Sequence, residues 1–287
     1  MIKIETEKYK LLKKIKDPKF NIDNLEHYNL SLQLGVRDFQ VFVYNTQEKR
    51  ALLLEDYIFN QEVSSDTILE IIKDIIDNHH LLAAGFWKSV SVVIKNRKFA
   101  LVPEQLYEKE QAHTFLLLNH AISSKDTIYS IHHKNTFVNI FAAERRFSNF
   151  FNSNYPNIRI KFIHQSSPII NGTLRLGENT FLMYIDRFNM HLSVVKNGKL
   201  LYYNQFQIKK MEDFTRFTKL VASELQVKLE KTKIVAYGFI GKNSPQYNYL
   251  KQHFPQLTLG EKPRQIKFGY VFDEIPDHQF FDVFSLY

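Results

Sequence analysis

Apolar residues recur at every second position in two separate stretches of the chain, residues 30–44 and 181–195, which align without gaps. The matching apolar positions are Leu30, Leu32, Leu34, Val41 and Val43 in the first stretch and Phe181, Met183, Ile185, Leu192 and Val194 in the second. A period of two is typical of a strand with one buried face, and here it keeps its phase across a short central turn. The pattern therefore predicts the same strand–turn–strand unit twice. It favours shared ancestry of the two halves over two hairpins that merely look alike.

A third strand and then a helix are predicted after each unit. The third strands cover residues 50–57 and 200–208, and Asn197-Gly198 supplies the two positive-φ residues of a type I′ turn before the second of them. The first helix is capped by Ser64 and carries isoleucines at positions 68, 71, 72, 75 and 76, which form one helix face. The second helix lies near residues 211–228. Both halves therefore have the order strand, strand, strand, helix.

The rest of the chain shows further alternation of strands and helices. Strands are predicted at residues 88–95, 99–102, 127–132, 136–141, 159–164, 234–239 and 265–272, with a turn at Lys134-Asn135. Helices are predicted at residues 113–122, 142–151 and 166–174, from residue 244, and in the terminal segment. Antiparallel strands that alternate with helices indicate an α/β protein with mixed sheets. We divide it into an N-terminal extension (1–25), a first lobe (26–176) and a second lobe (177–287).

Composition narrows the classes of function. The 287 residues contain no cysteine, which excludes disulfides, thiolate metal sites and a thiol nucleophile. Neither an apolar run of membrane-spanning length nor a secretory signal is visible, so we expect a cytoplasmic protein without a transmembrane segment. The net charge of +8 would allow contact with nucleic acid, but the lysines are spread out, and a solvated basic surface is favoured. Only nine residues are glycine, roughly half the usual share, and phosphate-binding loops need glycine.

The repeated order of strands and helices resembles the actin-like ATPase superfamily, which includes actin, sugar kinases, heat-shock chaperones, the cell-division protein FtsA and the pilus protein PilM. The resemblance covers nearly everything after Tyr28. The segment between residues 88 and 164 looks like the inserted subdomain of FtsA and PilM. The whole chain is similar to a Bacteroidetes family of unknown function with this fold. The resemblance implies a duplicated, ribonuclease H-like α/β fold: two lobes with sheets of the five-stranded type and a nucleotide cleft between them.

In that superfamily the turn of each strand–turn–strand unit reads roughly Asp-x-Gly. The glycine lets backbone N–H groups approach the phosphates, and the aspartate organises a metal ion or the attacking water. The matching residues here are Gln33 and Gly35 in the first unit and Tyr184 and Asp186 in the second. Both aspartates are therefore absent from the matching positions, and an aspartate replaces the second glycine.

The adenosine-binding strand of the superfamily usually ends in Gly-Gly. Here it ends in Gly238-Phe239, and Gly241 follows two residues later. A carboxylate about 4 Å from a phosphate charge costs roughly 4 kcal/mol at an effective dielectric constant of ~20, which is nearly three decades of affinity. A Mg²⁺ ion held by Asp186 would reverse that sign. The resemblance thus implies a vestigial nucleotide cleft near Gln33, Gly35, Tyr184, Asp186, Gly238 and Gly241.

Three functions follow from these observations. The favoured one is a non-catalytic interaction or scaffold protein with a protein partner and without catalytic residues, a cofactor or a metal site. The alternative is a nucleotide-dependent switch or ATPase that binds ATP and Mg²⁺ in the cleft. A basic module associated with nucleic acid is the third. The apolar terminal residues, which include Phe280, Phe281 and Phe284, are expected to pack in the core, with docking of a partner as the alternative.

Overall fold

The structure, a computed structural model, describes residues 8–60, 64–134, 136–187 and 189–287. The chain forms two compact units. The first extends to Gln165 and includes Lys267–Phe272, and the second comprises Ser166–Ile266 and Asp273–Tyr287. The units thus divide before the helix at residues 166–176, whereas the sequence analysis placed a lobe boundary after it. The predicted turn at Lys134-Asn135 and the predicted extension include residues 135 and 1–7, which lie outside the described residues.

The first unit is built on a six-stranded mixed sheet. Its strands and helices are β1 (Tyr9–Lys16), β2 (Tyr28–Leu34), β3 (Asp38–Asn45), β4 (Arg50–Phe59), α1 (Ser65–Asp77), β5 (Ser89–Ile94), β6 (Phe99–Pro103), α2 (Ala112–Leu117), β7 (Asp126–His133), β8 (Phe137–Glu144), α3 (Arg145–Asn154) and β9 (Lys161–His164). The order across the sheet is β1-β4-β3-β2-β5-β9. Strands β1 to β4 pair antiparallel, and β5 and β9 add in parallel. Strands β6, β8 and β7 form a separate three-stranded sheet, which α2 covers.

The second unit is built on a five-stranded mixed sheet. Its elements are α4 (Ser166–Leu176), β10 (Thr180–Asp186), β11 (Asn189–Lys196), β12 (Lys199–Gln207), α5 (Met211–Glu224), β13 (Ile234–Gly238), α6 (Pro245–His253), β14 (Thr258–Leu259) and α7 (Phe281–Phe284). The order is β12-β11-β10-β13-β14. Strands β10 to β12 pair antiparallel, and β13 and β14 add in parallel. This order matches β4-β3-β2-β5-β9 of the first unit in sequence and direction.

The two strand–turn–strand units have the register that the gapless alignment requires. Leu30 lies opposite Val43 in the first unit, and Phe181 lies opposite Val194 in the second. All four side chains are buried, because a period of two directs alternate residues to one face of the sheet. The hairpin after β11 is also as predicted: Asn197 and Gly198 both have positive φ, 52° and 70°.

Helix α1 follows the sequence prediction closely. The Ser64 side chain accepts a hydrogen bond from the Thr67 N–H and caps the helix. The five isoleucines that were expected to form one face are all buried. Burying such a stripe against a sheet supplies most of the stability of a helix in a folded protein. Among the described residues, no helix combines the length and the apolar character needed to cross a membrane.

The start of one predicted helix is wrong, and so is one predicted strand. The helix predicted from residue 142 begins at Arg145, because Ala142 and Ala143 pair with β7 and extend β8 to Glu144; strand pairing here overrides the helix propensity of alanine. The strand predicted at residues 265–272 does not form. Lys267 alone pairs there, in an isolated bridge to Arg50. The chain then turns at Gly269, where the Asp17 carboxylate fills the space that a side chain would need.

The apolar terminal segment packs in the core of the second unit. Phe280, Phe281 and Phe284 are all nearly inaccessible to solvent. The Phe281 ring lies 4.1 Å from the ring of Tyr237. Gly172 of α4 allows the close contact, because a Cβ there would lie 2.4 Å from Phe281 Cζ. Packing, and not an exposed docking segment, accounts for these phenylalanines.

A buried carboxylate in the first unit makes stability depend on pH. Glu55 accepts hydrogen bonds from Lys14 Nζ at 2.8 Å, Tyr57 Oη at 2.6 Å and His79 Nε2 at 3.0 Å. The His79 Nδ1 atom accepts from the backbone N–H of Leu81, so Nε2 carries the proton. Burial raises the pKa of Glu55, but the hydrogen bonds outweigh it and hold that pKa at about 2, below the ordinary 4.5. The difference corresponds to about 3 kcal/mol.

We expect this contribution to be present above about pH 5 and to be lost as the pH falls toward 2, because the unfolded chain takes up the proton first. In the variant Glu55→Gln the contribution is absent at every pH. The free energy of unfolding of the two proteins, measured in urea at pH 7, 5 and 3.5, should therefore converge toward acid pH. The control is Glu70→Gln, which changes an exposed ion pair with Lys8. Parallel curves for Glu55→Gln and the unmodified protein would contradict the prediction.

Candidate functional site

The first predicted site residue, Gln33, is a buried structural amide. It lies on β2, and its Nε2 atom donates to Gln40 Oε1 at 2.9 Å. Gln40 Nε2 in turn donates to Asp56 Oδ1 at 3.0 Å. Side-chain hydrogen bonds therefore connect the three neighbouring strands β2, β3 and β4. Gln33, which the resemblance matched to an aspartate, therefore links strands in this structure.

Gly35 lies in the turn that follows β2, where an internal carboxylate occupies the adjacent space. Its N–H donates to the Asp38 main-chain oxygen at 2.9 Å. A Cβ at Gly35 would lie only 2.1 Å from Asp38 Oδ1. The Asp38 carboxylate accepts from Lys95 Nζ at 2.7 Å, and both side chains are at most 7% exposed. The glycine thus makes room for a carboxylate of the same chain at the position where a phosphate would be expected.

A cavity of about 210 Å³ lies beside this turn, with a mostly apolar lining that includes Leu34, Ile68 and Phe147. Its two lysines both have carboxylate partners: Lys95 contacts Asp38, and Lys98 contacts Asp126 at 2.8 Å. Small-molecule sites usually have volumes of roughly 300–1,000 Å³. The cavity is therefore small for a nucleotide, and its cations are already neutralised.

The matching residues of the second unit lie in a buried aromatic and polar cluster. Tyr184 is 1% exposed, with its ring 5.5 Å from that of His191 and 6.3 Å from that of Phe281. His191 Nδ1 lies 2.8 Å from Tyr203 Oη. Burial raises the pKa of Tyr203 well above its ordinary value, and the charges of Asp186 and Asp282 raise it further. Tyr203 therefore stays protonated, and its hydroxyl shares a hydrogen bond with His191 Nδ1.

Asp186 ends β10 and is 5% exposed. Its backbone pairs with Asn189 across the turn. In the first unit the same place in the turn is held by Gly35, whose N–H bonds to Asp38. Each of the two turns therefore has a carboxylate of the chain, Asp38 in the first unit and Asp186 in the second.

Gly238 ends β13, where two parallel strands come very close together. Its φ is +96°, and a Cβ would lie 2.1 Å from the Ile185 main-chain oxygen. The N–H of Gly238 donates to His278 O at 2.7 Å, and the N–H of Phe239 donates to Ile185 O at 2.7 Å. The next N–H, of Ile240, donates to Gly238 O at 3.0 Å. The backbone N–H groups of Gly238, Phe239 and Ile240 are therefore all hydrogen-bonded within the second unit.

Side chains also cover the end of this strand. The Arg187 guanidinium lies 4.0 Å from the centre of the Phe239 ring, a cation–π contact. The Phe280 ring meets Phe239 edge-on at 5.5 Å. Gly241, by contrast, is exposed, and a Cβ there would have no neighbour closer than 4.0 Å. Of the two glycines predicted near the adenosine, only Gly238 has a backbone conformation and a close contact that require glycine.

Sequence reasoning missed Asp38, Lys95 and His278, which occupy the turn and strand-end positions. Asp38 follows Gly35 by three residues, so its proximity to the turn was visible in the sequence. The contact of His278 with Gly238 spans 40 positions of the chain, and no local pattern indicates it. The predicted vestigial cleft is a feature of both units together, and it stays a prediction.

The paired sheets, with three antiparallel strands followed by two parallel ones, define a protein of the actin-like ATPase fold. A protein of unknown function from Bacteroides thetaiotaomicron, described as having an actin-like ATPase fold, is similar over 93% of this chain and 98% of its own, with a TM-score of 0.78 and 21% identity. A chain of the PilM–PilN type IV pilus biogenesis complex is similar over 90% of this chain and 97% of its own, with a TM-score of 0.56 and 9% identity. These similarities confirm a mixed α/β fold of the actin-like ATPase kind.

The chain belongs to the family described as "Protein of unknown function (DUF3822)", whose model matches residues 17–257. No curated protein matches it.

Proposed function

We propose that this chain is a non-catalytic protein of the actin-like fold that acts as an interaction or scaffold protein in the cytoplasm. The observation that supports this most strongly is the use of backbone donors at the ends of the paired strands. The N–H groups of Gly35, Gly238 and Phe239 all bond within their own units. In the first unit the buried pair of Asp38 and Lys95 fills the turn.

Electrostatics supports the same proposal. A phosphate that approached the β10 turn would meet the Asp186 carboxylate, whereas at the Gly35 turn the Asp38 carboxylate is already paired with Lys95. One such contact at about 4 Å costs roughly 4 kcal/mol. That figure moves an ordinary micromolar affinity for nucleotide into the millimolar range.

A role in protein interaction is consistent with the use of this fold elsewhere. One chain of similar fold comes from a complex of two pilus biogenesis proteins. We also infer that the two units arose by duplication, which their matching strand order and register support. The sheet of β6, β8 and β7 is the candidate for the inserted subdomain of the FtsA and PilM type.

The proposal is tested by isothermal titration with Mg-ATP, together with an assay of phosphate release. We expect no saturable binding below about 1 mM and no release above the rate in buffer, because the backbone donors are occupied and the Asp186 carboxylate repels the phosphates. The Mg-free nucleotide serves as the control for a metal bridged by Asp186. Micromolar binding with hydrolysis above background would support the alternative, a nucleotide-dependent switch or ATPase.

A further inference from the structure

A cavity of the second unit has a lining that includes none of the nucleotide residues predicted in that unit, Tyr184, Asp186, Gly238 and Gly241. Its volume is about 480 Å³, which is within the usual range for small-molecule sites. Lys233, Val235 and Tyr237 line it, and alternate residues share one face of a strand, so the cavity runs along β13. Helix α4 and residues 258–265 complete the wall.

The charged residues of the lining are mainly basic: the cations are Arg175, Lys233, Lys262 and Arg264, and the single carboxylate is Glu261. Lys262 is bound to Asp277 at 3.1 Å and to Ile275 O at 3.2 Å. Arg264 contacts Glu261 at 3.3 Å, but both side chains are more than 70% exposed. An exposed pair of this kind is worth little, so a stronger anion can take the guanidinium.

The floor of the cavity is apolar and aromatic. The Tyr237 ring lies against Gly260, where a Cβ would be 1.9 Å from Tyr237 Cζ, and 4.1 Å from the ring of Phe281. Its hydroxyl donates to the Glu261 main-chain oxygen at 3.2 Å. Burial raises the pKa of Tyr237 to about 12, so the ring is uncharged at neutral pH and does not repel an anion.

We propose that this cavity binds a small organic anion, in which a phosphate or carboxylate group contacts Lys233 and Arg264 and an apolar body lies on Val235 and Tyr237. Guanidinium and ammonium groups form charge-assisted hydrogen bonds to both kinds of anion. Apolar walls with a few polar groups are the usual make-up of small-molecule sites. The lining includes none of the nucleotide residues predicted in the second unit, so the proposal stands whether or not the protein binds a nucleotide.

The test uses phenyl phosphate as the probe, titrated into the full chain by calorimetry. Phenol, which lacks the charge, and inorganic phosphate, which lacks the ring, are the controls. We expect saturable binding of phenyl phosphate and at least tenfold weaker binding of either control. Benzoate, titrated in parallel, shows whether a carboxylate can replace the phosphate; binding of either aromatic anion supports the proposal.

Two variants locate the binding. Lys233→Gln and Arg264→Gln should each lower the affinity about tenfold, the fold-change expected for one lost hydrogen bond between charged groups. Both side chains are exposed, so the thermal midpoint should not change. The matched control is Lys219→Gln, an exposed lysine on α5 outside the cavity, which should bind like the unmodified protein. The proposal is overturned if neither aromatic anion binds, if phenol binds as well as phenyl phosphate, or if all three variants bind alike.

Discussion

Replacing Gly238 by alanine is expected to destabilise the second unit by about 3–5 kcal/mol. A side chain at a left-handed φ costs about 1–2 kcal/mol by itself, and φ here is +96°. The new Cβ would also lie 2.1 Å from Ile185 O, a backbone atom that cannot move without separating β10 from β13. Relief of the clash would weaken the hydrogen bonds to Ile185 O and His278 O, each worth about 1 kcal/mol.

Gly241→Ala is the matched control, since the two glycines are only three positions apart. Gly241 is exposed and would accept a Cβ without close contact. Its substitution should change the free energy of unfolding by no more than about 0.5 kcal/mol. Urea titration followed by circular dichroism measures both variants. Equal costs for the two would mean that β13 does not end as closely against β10 as described.

Lys95→Met is expected to destabilise the first unit by about 3–5 kcal/mol, because it removes the ammonium group that lies 2.7 Å from the buried Asp38 carboxylate. Methionine keeps most of the length and apolar volume of the lysine stem. The loss is therefore one of charge compensation and not of packing.

The double variant Asp38→Asn with Lys95→Met removes both charges and should recover most of that stability, to within about 1 kcal/mol of the unmodified protein. The coupling between the two sites is obtained from the double-mutant cycle, with free energies of unfolding in urea. Lys98→Met provides a comparison, because Lys98 also faces a buried carboxylate, Asp126, but is 34% exposed and should cost less. A cost below about 1 kcal/mol for Lys95→Met would mean that water reaches the pair, and the turn would then be open to an anion.

These two variants concern the same question as the Mg-ATP titration. Gly238 and the Asp38–Lys95 pair lie at the strand ends where, under the proposed function, internal contacts take the place of contacts with a nucleotide. If both variants are as costly as expected, the strand ends are stabilised by the chain itself. The backbone N–H groups at the strand ends then stabilise the folded state and are not available to a ligand.

Much of the fold could be predicted from the sequence, for reasons that are local. The isoleucine stripe and the Ser64 cap predicted the position of helix α1. The Asn197-Gly198 turn predicted the hairpin between β11 and β12. The period of two placed both strand–turn–strand units with their register. The strand predicted at residues 265–272 was wrong. These residues have a strand-like composition, but only Lys267 pairs with another residue, Arg50.

The candidate site was predictable in part. The residues that carry the resemblance predict missing aspartates at Gln33 and Tyr184 and a carboxylate at Asp186, and this match stays a prediction. They did not indicate that Tyr184 and Asp186 would be buried, or that the chain would supply its own partners for the strand-end donors. Those partners, Asp38 for the Gly35 turn and His278 for Gly238, are identified by distance and not by sequence.

The sequence by itself determined the alternation of strands and helices and the repeated strand–turn–strand unit, because each depends on residues close together along the chain. The tertiary structure alone decided what occupies the strand ends and where a basic cavity lies. Both depend on groups far apart in the chain, such as Lys95 and Asp38 or Arg175 and Arg264, which only the packing of the sheets brings together.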